Sequence, residues 1–171
     1  MNEKKVCLVG AFAVGKTSLI KRFVDGIFSD KYLTTVGVKI DSKTLEVENE
    51  RLQLLLWDIQ GEDELSTVPL VYLKGAAAII YVVDGTRIDT LTTALNLKHD
   101  IERHYDRSIP SLLLLNKSDL TESWEIDAAT MTELESGGIL TQVTSSKLGH
   151  GVDEAFDLVC RMLLGKTGLA A

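Results

Sequence analysis

The stretch GAFAVGKTS, Gly10 to Ser18, sets Gly10, Gly15, Lys16 and Thr17 at a spacing that can hold phosphate. Gly10 and Gly15 let the backbone wrap closely around an oxyanion. The amides of Ala13, Val14, Gly15, Lys16, Thr17 and Ser18 then point inward, at the start of a helix whose dipole favours anions. Lys16 reaches the terminal phosphates, and the Thr17 hydroxyl suits Mg²⁺. The alternative is a chance glycine-rich turn. The position of the motif, between an apolar run and a helical pattern, speaks against it.

Three more stretches carry polar groups that can read a nucleotide. WDIQGEDE, Trp57 to Glu64, contains Asp58-x-x-Gly61, a spacing used by phosphate-sensing loops. NKSD, Asn116 to Asp119, ends an apolar run. The Asp119 carboxylate can accept both N–H groups on the edge of guanine, a pair that adenine lacks. The Lys117 stem can lie along the base plane while Asn116 ties this loop to the first one. Alone, the tetrapeptide is an ordinary polar turn; its force comes from following the phosphate motif. TSSK, Thr144 to Lys147, offers Ser145, Ser146 and Lys147, with the Ser146 amide as donor to the guanine carbonyl oxygen.

The elements that must position these groups are legible as apolar patterns. Val6 to Val9 reads as a buried strand. Leu19, Ile20, Phe23, Val24 and Ile27 recur at helical spacing, with Gly26 loosening the end. Two strands flank a polar turn at Glu48-Asn49-Glu50. Ala76 to Asp84 and Ser111 to Asn116 are continuous apolar runs, as in central parallel strands. Leu91, Ala94, Leu95, Ile101 and Tyr105 trace a helix face between them. After a short run at ILTQVT, Val152, Ala155, Phe156, Val159, Cys160 and Leu163 form the stripe of a last helix. The alternation predicts an α/β fold: a mostly parallel sheet with one antiparallel edge strand and helices on both faces. Ligands bind at the carboxyl ends of such strands.

Composition narrows the class. The 171 residues are 45% hydrophobic and 25% charged, which suits a single domain spanning 1–171. A net charge of -7 without a basic patch argues against nucleic acid and anionic membranes. Cys7 and Cys160 lie in apolar runs and read as reduced core residues of a cytoplasmic protein. His99, His104 and His150 have no ligand spacing and read as surface residues. No signal peptide, lipidation motif or membrane span is expected, so the chain itself offers no direct anchor.

GAFAVGKTSLIKRF, YLTTVGV, LLLWDIQGEDE, NKSD and TSSK occur in one order along essentially the whole chain. In that combination the chain resembles the Ras-superfamily small GTPases, nearest to the Rab branch. The resemblance implies a P-loop G domain of six strands and five helices with two switch segments. It implies a monomeric switch that binds GDP or GTP with Mg²⁺. Effectors, an exchange factor and an activating protein would meet it through Tyr32–Gly37 and Asp58–Tyr72. Phe28 would stack on guanine, and Tyr32 would close over the phosphates. Thr35 would give its hydroxyl to Mg²⁺ and its amide to the γ-phosphate. Asp58 would hold Mg²⁺ through water, and the Gly61 amide would meet the γ-phosphate. Leu65, Val68 and Tyr72 are expected at a partner surface; Trp57 fits core or interface equally.

Three residues depart from the family pattern. Gln60 stands where alanine is usual, Glu62 where the water-orienting glutamine is usual, and Phe12 where a small residue is usual. Glu62 can accept a hydrogen bond from water but cannot donate one to the γ-phosphate, whose charge it repels. Gln60 has the missing amide one residue early, with a different default direction. The candidate catalytic set is therefore Lys16, Gln60, Gly61 and Glu62, with slow hydrolysis expected. The Phe12 ring either crowds the γ-phosphate or folds outward. A GTP-bound scaffold that does not hydrolyse is the alternative. An ATP-using P-loop kinase is disfavoured by Asp119.

Overall fold

In the computed structural model, which describes residues 2–30, 35–61 and 68–166, the apolar runs form one six-stranded sheet. Its strands are β1 (Asn2–Gly10), β2 (Val38–Val47), β3 (Glu50–Ile59), β4 (Ala78–Asp84), β5 (Ser111–Asn116) and β6 (Thr141–Val143). They lie in the order β2-β3-β1-β4-β5-β6. The β2–β3 pair is antiparallel and the other pairs are parallel, so β2 is the antiparallel edge strand expected. Glu48 and Asn49, at φ 51 and 68, make the two-residue turn. Left-handed geometry at both suits the twist of a tight hairpin, and Glu50 already belongs to β3.

Helices α1 (Lys16–Asp25), α2 (Asp89–Tyr105), α3 (Ala128–Ser136) and α4 (Val152–Leu163) cover the sheet. Alternation along β1 splits the core in two. Val6 and Leu8 join Leu19, Ile20 and Phe23 of α1 and Ala155, Phe156 and Val159 of α4 on one face. Cys7 and Val9 join Leu91, Ala94, Leu97 and Ile101 of α2 and Leu134 of α3 on the other. Phe23 and Phe156 stack with ring centroids 3.9 Å apart, locking α1 to α4. Both cysteines are buried and free, and the three histidines are exposed.

Three expectations need correction. Ile27 is not part of the α1 stripe: Gly26 closes the helix with its N–H on Arg22 O at 3.0 Å, which leaves Ile27 exposed. Among the described residues there are four α-helices, not five. The segment before β4 instead forms a 3-10 turn, Leu70–Leu73, entered from Pro69. Val68 is not a surface residue. It belongs with Leu73 to the buried cluster under α2, while Val71 between them is 72% exposed. Tyr72 is half-buried against the same cluster. Trp57 is also half-buried, with the Lys5 Nζ 3.6 Å from its ring centroid. No helix of the described residues is long and apolar enough to cross a membrane.

Candidate functional site

Because β1, β3, β4, β5 and β6 are parallel, their carboxyl ends meet at one edge of the sheet. A cavity of about 320 Å³ opens there. Gly15, Lys16, Thr17, Ser18, Thr35 and Gly61 line one end, and Phe28, Lys117, Asp119, Ser146 and Lys147 line the other. The four stretches singled out from sequence thus converge on one site.

The glycine-rich loop leaves β1 at Gly10 and enters α1 through Gly15, which has φ 103. A Cβ at Gly15 would collide with the Asn116 amide nitrogen, so strain and space both demand glycine there. The Lys16 ammonium is buried and donates to Ala11 O at 3.1 Å and Gly10 O at 3.5 Å. Burial pushes its pKa down to about 8; Asp58 opposes the shift and Arg87 adds to it.

Beside it, three oxygens cluster. Thr17 Oγ1 donates to Asp58 Oδ2 at 2.5 Å and lies 2.7 Å from Thr35 Oγ1, which reaches the same Asp58 oxygen at 2.9 Å. Asp58 Oδ1 is buried and has no hydrogen-bond partner among the described residues. Burial raises the Asp58 carboxyl, against the two threonine hydrogen bonds and the Lys16 charge. Two hydroxyls, a buried carboxylate and an unsatisfied oxygen form a donor set that fits a hard divalent cation such as Mg²⁺.

At the far end Asn116 is fully buried and knots three loops together. Its Nδ2 donates to Val14 O at 3.1 Å and to Ser146 Oγ at 3.4 Å. Its Oδ1 accepts from Thr144 Oγ1 at 3.1 Å and from the Ser146 amide at 3.2 Å. The amide expected to face a guanine oxygen is therefore already partnered inside the site. Ser145 Oγ donates to Asp119 Oδ1 at 2.7 Å and orients that carboxylate. Lys117, at φ 68, donates to Ala13 O at 2.9 Å.

A sequence profile of the Ras family matches residues 5–165. The chain belongs to the Ras family. Among its relatives, Ras-related protein Rab-8B of Dictyostelium discoideum is 34% identical over 153 residues, covering 89% of this chain and 75% of that protein. Ras-related protein Rab-13 of Mesocricetus auratus is 33% identical over 165 residues, 96% of this chain and 81% of the relative. Ras-related protein Rab-19 of Mus musculus is 31% identical over 168 residues, with shares of 96% and 77%. Membership makes the chain a small GTPase switch in the general sense, with nucleotide binding and with regulator and effector partners.

Against that family pattern, the departures sit as follows. Tyr32, Glu62 and Leu65 lie outside the described residues. Gln60 is tied sideways: its main-chain N–H donates to Gly37 O at 2.8 Å, and its side-chain Oε1 accepts from the Gly37 amide at 3.1 Å. Gly61 rests on the glycine-rich loop. A Cβ there would come within 2.8 Å of Phe12 Cα and 2.9 Å of Ala11 O. The Phe12 residue is 40% exposed.

Two residues that brace the site were not singled out from sequence. Asp84 ends β4 and is buried; its Oδ2 pairs with Lys117 Nζ at 2.7 Å and Arg87 Nε at 3.1 Å. Burial raises its carboxyl, but hydrogen bonds from Lys117 and Thr86 outweigh that and hold it below the usual range. Arg22 of α1 donates to Ser146 O at 2.8 Å and also to Lys147 O, bracing the last loop. A lone carboxylate closing an apolar parallel strand was the available signal for Asp84.

Proposed function

We propose that this single domain, spanning 1–171, is a cytoplasmic, monomeric guanine-nucleotide switch that binds GDP or GTP with Mg²⁺ and hydrolyses GTP slowly. The observation that carries the reading is the continuity of one cavity from Lys16 and Thr17 to Lys117 and Asp119. It joins a phosphate cradle to a carboxylate already oriented by Ser145.

In this reading guanine lies between Phe28 and the Lys117 stem, and Asp119 accepts its two N–H groups. Ser146 and Lys147 supply the backbone facing its carbonyl oxygen. The amides from Ala13 to Ser18 surround the phosphates, and Lys16 exchanges the Gly10 and Ala11 carbonyls for the β- and γ-phosphate oxygens. Thr17, Thr35 and Asp58 would hold Mg²⁺, which when bound would neutralise phosphate charge. The reaction is GTP + H₂O to GDP + phosphate, by in-line attack of water on the γ-phosphate. Lys16 stabilises the charge that develops, the Gly61 amide contacts the γ-phosphate, and Glu62 accepts from the water without the donor a glutamine would add. With Gln60 engaged by Gly37, the γ end lacks its usual amide. Effectors and regulators then read the nucleotide state through Tyr32–Gly37 and Asp58–Tyr72.

The test is single-turnover hydrolysis by protein loaded with GTP and Mg²⁺, beside Glu62→Gln and Phe12→Gly. Slow wild-type turnover that either substitution speeds up supports the restrained switch. A wild type that retains GTP unhydrolysed, with both variants equally inert, supports the second reading, a GTP-bound scaffold; the sideways tie of Gln60 favours it. Tight ATP binding with weak GTP binding would overturn both.

A further inference from the structure

Arg87 lies just beyond β4 and outside the cavity lining, yet it grips the phosphate loop. Its Nη2 donates to the Phe12 carbonyl at 2.8 Å while its Nε sits on Asp84 Oδ2 at 3.1 Å. The neighbouring carbonyl, Ala13 O, is held by Lys117 from the same Asp84 oxygen. Two consecutive carbonyls of the loop are thus capped by two cations that share one buried carboxylate, Lys117 from the cavity wall and Arg87 from beyond it. Ala13 has φ 61, a left-handed conformation that is strained for a residue with a side chain. Something must hold this turn open.

The base of the arm is rigid. Asp84 Oδ1 accepts from the Thr86 amide at 2.9 Å and the Thr86 hydroxyl at 2.6 Å. The Gly85 amide donates to Asn116 O at 2.9 Å, Glu125 N donates to Gly85 O at 2.7 Å, and the Ile88 amide donates to Glu125 Oε2 at 2.6 Å. The Trp124 ring lies so close over Gly85 that no Cβ would fit between them. Such support is what a positioning group requires.

We propose that Arg87 is a positioning residue of the phosphate loop: oriented by Asp84, it holds the Phe12 carbonyl outward and so keeps the following amides aimed at the phosphates. The proposal rests on the nucleotide reading of the cavity. A fork is needed, because one guanidinium spans a carboxylate and a carbonyl along fixed directions. A lysine ammonium brings the same charge without that geometry.

The experiment loads the full chain with mant-GDP and Mg²⁺ and follows release into excess GDP, for wild type, Arg87→Ala and Arg87→Lys. Single-turnover hydrolysis of GTP and thermal melting of the nucleotide-free proteins are measured alongside. Both variants should release mant-GDP about tenfold faster or more, as loss of a charge-assisted hydrogen bond predicts. Hydrolysis of GTP still bound should change far less than release, and Arg87→Lys should melt close to wild type. Release at the wild-type rate in Arg87→Lys would reduce the arm to a bare charge and overturn the proposal. Unchanged release in Arg87→Ala overturns it too, as does faster release matched by an equal loss of melting temperature in both variants. Failure of the wild type itself to retain mant-GDP would instead strike the nucleotide reading, and the proposal with it.

Discussion

At the base end of the cavity every loop is tied to another. Asn116 joins three of them, Ser145 orients Asp119, and Arg22 braces the TSSK carbonyls from α1. At the phosphate-terminal end the ties are fewer and of another kind. Thr17, Thr35 and Asp58 lean on one another, Lys16 rests on loop carbonyls, and Gln60 is engaged sideways by Gly37. On the proposed reading, the base end is held by the protein's own bonds, while groups at the terminal end would exchange theirs for bonds to the nucleotide. Affinity and turnover should therefore respond to different substitutions.

The largest effect should come from the base end. Asp119→Asn removes a charged acceptor of two N–H groups, so guanine affinity should fall by about a hundredfold or more while xanthine nucleotides gain. A competition assay with both bases reads this, and unchanged guanine affinity would remove Asp119 from the base site. Asn116→Ala leaves Val14 O and the Ser146 amide without their buried partner. A stability loss of about 2–4 kcal/mol is expected in denaturant melts, with faster nucleotide release. Loss of turnover without loss of affinity or stability would contradict the division between the two ends.

At the terminal end, Glu62→Gln should raise single-turnover hydrolysis by roughly tenfold and leave GDP affinity nearly unchanged. An affinity change larger than the rate change would break the comparison from the other side. Asp84 gives a smaller, pH-dependent effect. Its carboxyl is held below the usual range, so its bonds from Lys117 and Thr86 contribute stability at neutral pH. That contribution is lost as pH falls through the depressed folded value. Asp84→Asn should thus cost about 1–2 kcal/mol at pH 7, and the gap to wild type should close in strong acid. A gap that widens on acidification would mean the carboxyl is not stabilised by those bonds.

The fold and most of the cavity were legible because they rest on short-range pattern. Continuous apolar runs marked β4 and β5, and the glycine spacing fixed where β1 hands over to α1. Ile27 misled because its periodicity continues past a glycine whose left-handed cap ends the helix. Helix α3 escaped because it buries only Leu134 and so shows no stripe; the Asp127 cap on the Thr130 amide was its one local mark. Val68 escaped because an apolar residue near a switch reads alike whether it packs inward or faces a partner. Asp84 and Arg87 escaped for a different reason. Their roles depend on β1 lying beside β4, a pairing distant in sequence that no local spacing encodes.

The Gln60–Gly37 pair has a kinetic consequence. Val38 pairs with Ile59 as the last rung of the β2–β3 ladder, and the Gln60 side chain supplies one rung more, taking the Gly37 amide where a main-chain carbonyl would otherwise serve. The roots of both switch segments therefore hang from the same two hydrogen bonds. Amide hydrogens on either side of that rung should exchange with solvent as one unit, through a single opening event. Gln60→Ala, which restores the smaller residue, should split that event into two with separate rates, visible by native-state hydrogen exchange.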